Sequence, residues 1–105
     1  RAQTFIENNH QEKISMEELS SKLAISRRNF DRRFLKATGN TPLEYTQRVR
    51  IEAAKKAFES SSKNINEVMY EAGYSDVKAF RELFKKITGV SPKQYRTSYN
   101  KESMN

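Results

Sequence analysis

The sequence predicts an all-α fold with two helix-turn-helix units joined by a long linker helix. The first observation is a repeat, because seven residues between positions 26 and 45 recur fifty positions later. The repeated residues are Phe30, Phe34, Lys36, Thr38, Gly39, Pro42 and Tyr45 in the first copy and Phe80, Phe84, Lys86, Thr88, Gly89, Pro92 and Tyr95 in the second. The second observation is that the chain has only three glycines and two prolines, and no apolar–polar alternation long enough for a strand.

A short first helix is predicted from Ala2 to about Asn9, with Phe5 and Ile6 directed inward. The single histidine, His10, follows near the end of this helix. Because the sequence has no cysteine and no second histidine, we expect His10 at a solvated helix end and not in a metal site.

The first helix-turn-helix unit is predicted from capping residues and a small residue at the turn. Ser15 and Glu18 have the spacing of a capping box, which starts the second helix. Ala24 and Ile25 form the turn, and Ser26 caps the repeated helix. A plain helical hairpin has the same apolar spacing, so this pattern leaves both arrangements open. The charge on the second helix of the unit discriminates between them.

The repeated helix has an aromatic inner face in both copies. The residues at the i, i+4 and i+7 positions of this face are Phe30, Phe34 and Ala37, and then Phe80, Phe84 and Ile87. Gly39 and Gly89 follow the two helices, where a left-handed C-terminal cap is expected.

The outer face of the repeated helix is largely basic. Helical geometry puts Arg28 and Arg32 opposite the phenylalanines in the first copy, and Lys78 and Glu82 in the second. The flanking residues are Arg27, Asn29, Asp31 and Lys36, and then Arg81, Lys85 and Lys86. For one helix alone, a solvated surface and a nucleic-acid surface are about equally favoured. Repetition behind the same aromatic scaffold favours nucleic acid.

Each copy then starts a new helix with its own capping box. The boxes are Thr41-Pro42-Leu43-Glu44 and Ser91-Pro92-Lys93-Gln94. The first of these helices is the linker, predicted from Pro42 to about Glu59 with a length of roughly 27 Å. That length is close to the ~34 Å between major-groove faces one turn apart. Apolar residues available to pack on both sides are Leu43, Val49, Ile51, Ala54 and Phe58.

The second unit repeats the plan of the first. Residues 60–63 form a loop, Asn64 and Glu67 cap the next helix, and Gly73 supplies the turn. One residue is inserted before the second repeated helix, relative to the first unit.

Charge and composition narrow the possible functions. The net charge is +7, and residues 26–50 and 76–96 carry seven and six basic side chains against two acidic ones each. Basic charge is therefore concentrated in the repeats, as expected for a surface that binds phosphates. The absence of cysteine excludes disulfides, thiolate catalysis and zinc fingers, and is consistent with a reducing, cytoplasmic compartment. We expect no membrane segment and no cofactor, and a start at Arg1 instead of Met indicates a piece of a longer protein.

These residues resemble the DNA-binding domain of the AraC/XylS family of bacterial transcription regulators. The resemblance extends from about Met16 to Arg96 and is most specific in the second half. It is carried by Arg50, Ile51, Ala54, Ala57, Phe58, Ile65, Val68, Gly73, Tyr74, Ser75, Asp76, Phe80, Phe84, Lys85, Lys86, Gly89, Ser91, Pro92, Tyr95 and Arg96. The resemblance implies seven helices in two homeodomain-like helix-turn-helix repeats, with one chain contacting two adjacent major-groove segments on one side of the duplex.

The resemblance also implies roles for individual residues. By matched position, the residues that face bases are Arg28, Asn29, Asp31, Arg32, Val77, Lys78, Arg81 and Glu82. Residues expected to contact phosphates are Ser26, Arg27, Lys36, Arg48, Lys85, Lys86, Lys93 and Arg96. Two departures stand out: Glu82 replaces a commonly basic or neutral polar residue, and Ser20 and Met69 replace a buried alanine.

We therefore expect one DNA-binding domain over residues 1–105. Its parts are a first helix-turn-helix unit at 1–40, a linker helix at 41–59, a second unit at 60–98 and a frayed tail at 99–105. The expected partners are double-stranded DNA, RNA polymerase and a separate N-terminal ligand or dimerisation domain, with no membrane. The alternatives are an interaction module whose basic face binds an acidic partner, and an enzyme. Catalysis is disfavoured because no thiolate, serine–histidine pair or glycine-rich phosphate loop is present.

Overall fold

The computed structural model describes residues 2–103, and the side chains of residues 2–99. Over this range the chain forms seven α-helices and no strand, which confirms the all-α prediction. The helices are α1 (Ala2–Asn9), α2 (Met16–Lys22), α3 (Arg27–Thr38), α4 (Pro42–Ser60), α5 (Ile65–Glu71), α6 (Val77–Thr88) and α7 (Pro92–Ser103). They form two compact units, unit 1 (Arg1–Val49) and unit 2 (Arg50–Asn105). No helix within residues 2–103 is long and apolar enough to cross a membrane.

The predicted caps begin the helices. Ser26 Oγ accepts from the amide of Asn29 at the start of α3, as predicted. At the start of α6 the Asp76 carboxylate accepts from two amides, a cap that was not predicted from the sequence. Reciprocal capping boxes form at Thr41 with Glu44 (2.9 and 3.2 Å), at Asn64 with Glu67 (2.9 and 2.8 Å) and at Ser91 with Gln94 (3.0 and 3.1 Å). Each box satisfies amide donors that the first helical turn would otherwise leave unpaired.

Unit 1 has a core built around the phenylalanines of α3. Its buried residues are Ile6, Met16, Leu19, Phe30 and Phe34, with Leu23, Ile25, Tyr45 and Val49 packed against them. The Phe34 ring makes edge contacts with Phe30 and Tyr45, with ring centroids 5.9 and 5.3 Å apart. The core therefore holds α3 by one face and leaves the opposite face outside.

Unit 2 has a corresponding core around α6. Its buried residues are Ile51, Ala54, Phe58, Val68, Met69, Ala72, Phe80 and Phe84. Phe84 contacts the rings of Phe58, Phe80 and Tyr95, with ring centroids 5.6 to 5.9 Å apart. As in unit 1, the paired phenylalanines fix which face of the helix is outward.

A tyrosine that packs on the second phenylalanine is hydrogen-bonded in each unit. Tyr45 of α4 donates to Glu7 of α1, and Tyr95 of α7 donates to Glu59 of α4. The hydrogen bond to Glu7 raises the pKa of Tyr45 above its ordinary value. Burial, followed by the hydrogen bond to Glu59, raises the pKa of Tyr95 to about 12.

Four details differ from the expectations. Phe5 is exposed because its neighbour Ile6, about 100° away on α1, takes the inward position. Ala37 is exposed although Ile87 of unit 2 reaches its core, since a single methyl group is too short to do so. Leu43 is also exposed, at the start of α4. Helix α7 continues to Ser103, past the predicted start of a frayed tail, and residues 104–105 lie outside the described part of the chain.

Candidate DNA interface

The turn before α3 sets the direction of this helix relative to α2. Ala24 has a left-handed backbone with φ of 58°, and the amide of Ile25 donates to the carbonyl of Ser20 at 3.1 Å. Ser20 is buried, and its hydroxyl donates to the carbonyl of Glu17 at 2.9 Å. The buried hydroxyl of Ser20 therefore has a hydrogen-bond partner within α2. An apolar side chain at this position would need no such partner.

The outward face of α3 is strongly basic. Arg28, Arg32, Arg33 and Lys36 are exposed, whereas Phe30 and Phe34 between them are buried. Arg32 Nη2 donates to Asn29 Oδ1 at 2.9 Å, so these two predicted base-facing residues lie side by side. The predicted face is thus brought together on one side of one helix.

Asp31 is predicted to contact bases and Arg27 to contact phosphates. In the structure the two side chains are hydrogen-bonded to each other. Arg27 Nε donates to Asp31 Oδ1 and Oδ2 at 3.0 and 3.2 Å. Arg27 Nη1 donates to Glu17 Oε1 of α2 at 2.6 Å. The hydrogen bond to Asp31 raises the pKa of Arg27, with a smaller contribution from Glu17. We refer to Glu17, Arg27 and Asp31 as the carboxylate bridge.

Unit 2 presents α6 after an equivalent turn. Gly73 has φ of 101°, and the amide of Tyr74 donates to the carbonyl of Met69 at 3.0 Å. Arg50 lies over the Tyr74 ring, with its guanidinium carbon 5.2 Å from the ring centroid. Burial of Tyr74 raises its pKa, and the nearby Arg50 partly opposes this shift. The ring packs on Phe80, which ties the turn to the core.

The outward face of α6 mixes charge signs. Lys78, Arg81 and Glu82 are exposed on it, and Lys85 and Lys86 are exposed near its end. Val77, the first residue of α6, is half-buried and packs against the core of unit 2. Of the four predicted base-facing residues in unit 2, Val77 is therefore the one whose side chain is partly used by the core.

The remaining predicted phosphate contacts differ in their surroundings. Lys93 is exposed on α7, and Arg48 is exposed on α4 with its Nε donating to Asn40 Oδ1 at 3.2 Å. Arg96 is half-buried, with its guanidinium carbon 5.0 Å from the Phe58 ring centroid and Nη2 3.4 Å from the carbonyl of Ser61. The chain uses Arg96 to cover the end of the core in unit 2.

Sequence reasoning missed Glu17 as part of this surface. It lies ten residues before Arg27, in a different helix, and no local spacing rule connects the two. Glu17 lies two residues after the predicted cap Ser15, so the sequence indicated only that a helix begins there. Among the described residues no group of three or more His, Cys, Asp or Glu side chains is arranged to hold a metal ion.

The comparisons with known proteins agree with this geometry. Residues 19–98 match the helix-turn-helix domain family. The chain is similar to the HTH-type transcriptional activator RhaS of Mannheimia succiniciproducens, with 32% identity over 92 residues, which cover 88% of this chain and 34% of RhaS. It is also similar to the bifunctional transcriptional activator/DNA repair enzyme AdaA of Bacillus subtilis, with 36% identity over 92 residues, which cover 88% of this chain and 44% of AdaA.

Among solved structures, the chain is similar to the DNA-binding domain of the global transcriptional factor AdpA, crystallised with a target DNA. The TM-score is 0.90 at 31% identity, covering 96% of this chain and 91% of that one.

Two helix-turn-helix units, each with an outward helix of net positive charge, define the class as a DNA-binding domain of a transcription regulator. The chain belongs to the AraC/XylS family of such regulators. It spans about a third of RhaS and less than half of AdaA.

Proposed function

We propose that the chain binds double-stranded DNA in a sequence-specific way, with α3 and α6 in successive major-groove segments on one side of the duplex. The observation that carries this proposal is the repeated pairing of a buried and a basic face. Phe30 and Phe34 bury one side of α3 while Arg28 and Arg32 lie exposed on the other, and α6 repeats the plan. A helix held in this way can enter a groove about 12 Å wide.

In the first unit, arginines would supply most of the base readout. A guanidinium can donate two parallel hydrogen bonds to guanine O6 and N7. Arg28 and Arg32 are exposed one helical turn apart, which matches residues that read neighbouring base pairs. Arg32 and Asn29 are already hydrogen-bonded to each other, so each side chain has less rotamer freedom to lose when it binds DNA. This supports a DNA contact that the two side chains make together.

In the second unit, readout would be more mixed. Lys78 and Arg81 can donate to guanine, whereas Glu82 can accept from cytosine N4. Glu82 is exposed. In the proposed complex it would lie near the phosphates and would disfavour any sequence that offers it no donor. Val77 has only part of its surface available for an apolar contact, such as a thymine methyl group.

Phosphate contacts would fix the register without reading the sequence. Lys36, Lys85, Lys86, Arg48 and Lys93 are exposed and suit this role. Ser26 lies at the start of α3, where the helix dipole also favours an anion. Arg27 would add to phosphate attraction only through its charge, because its guanidinium is bonded to Asp31 and Glu17. Arg96 would contribute mainly through its charge, because its guanidinium packs on Phe58.

The wider role that we propose is regulation of transcription in the cytoplasm, without catalysis. RNA polymerase and an N-terminal ligand or dimerisation domain are the further partners. The length of the curated relatives supports additional domains, since the matched region covers only 34% of RhaS and 44% of AdaA. AdaA is also a DNA repair enzyme, whereas the 105 residues of this chain contain no cysteine and therefore no thiolate nucleophile.

Selection from a randomised duplex library, repeated across a range of salt, tests the proposal. We expect an enriched site with two short elements about one helical turn apart, and affinity that falls steeply with salt. Arg28→Ala should reduce enrichment in one element only. Lys56→Ala is the matched control, because Lys56 is an exposed cation of α4 outside the proposed interface.

Two outcomes would contradict the proposal. Steep salt dependence without an enriched sequence would reduce the surface to a non-specific polyanion binder. Binding to RNA polymerase without any DNA preference would instead favour the interaction module.

A further inference from the structure

We propose that Glu17 and Arg27 are positioning residues for base readout. They hold the Asp31 carboxylate where it accepts a hydrogen bond from the N4 amino group of a cytosine. This inference rests on the proposed insertion of α3 into the major groove. Glu17 would thus determine sequence preference from α2, without itself contacting a base.

The geometry of the carboxylate bridge carries the inference. Arg27 Nε lies 3.0 and 3.2 Å from the two oxygens of Asp31, and Nη1 lies 2.6 Å from Glu17. The Arg27 and Asp31 side chains are 36% and 34% exposed, so the pair is partly shielded from water but open on one side. Each carboxylate oxygen has two acceptor sites, so Asp31 keeps unused acceptors after its bond to Arg27.

Glu17 decides which side of the guanidinium faces Asp31. With Nη1 held by Glu17, the Nε edge is directed at the carboxylate. Without that anchor, Arg27 would be free to turn toward a phosphate at the start of α3. Arg27 also offsets the repulsion between Asp31 and the DNA backbone, an effect that strengthens when DNA excludes water. The bridge therefore makes an acidic base contact tolerable in a basic surface.

Unit 2 has no counterpart of the bridge. The residues at the equivalent positions are Asn66, Val77 and Arg81. None of these three side chains is acidic, and Val77 carries no charge that could bridge its neighbours, so the effect should be confined to the site element bound by unit 1.

The test is library selection with the 105-residue chain carrying Glu17→Gln, Asp31→Ala, or both. Glu18→Gln is the matched control, because Glu18 is the next residue of α2, has the same side chain and lies outside the bridge. We expect Asp31→Ala to remove a preference for one cytosine of roughly 5- to 150-fold. Glu17→Gln should weaken the same preference several-fold, Glu18→Gln should leave it unchanged, and the double variant should match Asp31→Ala.

Base preference at one position is a property that a merely structural role would not change. Thermal unfolding of Glu17→Gln and Glu18→Gln should coincide, which shows that any difference in preference is not loss of fold. The inference is overturned if Glu17→Gln and Glu18→Gln select the same sequences. It is also overturned if Glu17→Gln raises affinity for all duplexes alike and steepens the salt dependence, because Arg27 is then a phosphate contact restrained by Glu17. If the unsubstituted chain selects no sequence, the proposed function and this inference both fail.

Discussion

Among the described residues, unit 1 closes its core with five buried apolar side chains, whereas unit 2 buries eight. The rings of Phe58, Phe80 and Tyr95 surround Phe84 in unit 2. In the described part of unit 1 the Phe34 ring has two ring neighbours, Phe30 and Tyr45. Outside the cores the balance is reversed. Unit 1 has more basic residues on its outward helix and links α2 to α3 through charged side chains.

The two copies of a repeated scaffold can therefore contribute unequally to stability and to recognition. Burial of aromatic rings contributes most to stability, and exposed charges contribute little to it. Exposed charges contribute strongly to DNA affinity instead. We therefore expect unit 2 to be the more stable unit and unit 1 to provide more of the binding.

The largest expected effect is on stability when the second phenylalanine of the repeat is removed. Phe84→Ala should lower the free energy of unfolding by about 4 kcal/mol and Phe34→Ala by about 3 kcal/mol, within the range for buried Phe→Ala changes. Phe84 is fully buried among three rings, while Phe34 is 6% exposed between two. Urea denaturation followed by circular dichroism measures both. A larger loss for Phe34→Ala would show that core size does not order the two units.

The next effect is on DNA affinity. Arg32→Ala should weaken binding to the selected site by about 2 kcal/mol, because it removes a bidentate base contact. Lys78→Ala should cost less, about 1 kcal/mol, because a single ammonium group makes no bidentate contact. Fluorescence anisotropy with the same labelled duplex compares the two at fixed salt. The reverse order would contradict the expectation that unit 1 provides more of the affinity.

The smallest effect concerns the two turns. Ala24 has φ of 58°, which costs an L-residue roughly 1 to 2 kcal/mol, whereas Gly73 adopts φ of 101° without that cost. Ala24→Gly should therefore stabilise the chain by about 0.5 kcal/mol, after allowing for the larger entropy of glycine when unfolded. Gly73→Ala should destabilise it by about 1 kcal/mol. Calorimetric melting temperatures should shift in opposite directions, and a shift in the same direction would mean that the turns are not equivalent.

The repeat and the caps made most of the fold predictable from the sequence. Capping residues act over three positions and apolar faces over seven, so both are visible locally. Ala37 shows the limit of periodicity, because it has the correct spacing but is too short to reach a core. Arg96 shows a similar limit, since the sequence cannot reveal that the Phe58 ring lies beneath its guanidinium.

The candidate site, like the fold, was predictable as far as it depends on positions within one helix. Which residues lie outward on α3 and α6 follows from the positions of the phenylalanines. The carboxylate bridge does not follow, because Glu17 and Arg27 meet only after the turn brings α2 against α3. Contacts between helices depend on tertiary packing, which a single helix period cannot encode.

The separation of each phenylalanine pair from the opposite face has a consequence for how such a protein changes over time. Phe30 and Phe34 recur as Phe80 and Phe84, yet Arg28 and Arg32 correspond to Lys78 and Glu82. Exposed positions of this kind usually accept substitution within about 0.5 kcal/mol of stability. New DNA sequence preferences can therefore arise by substitution on the outward face of one unit at a time, while the buried phenylalanine pairs are retained.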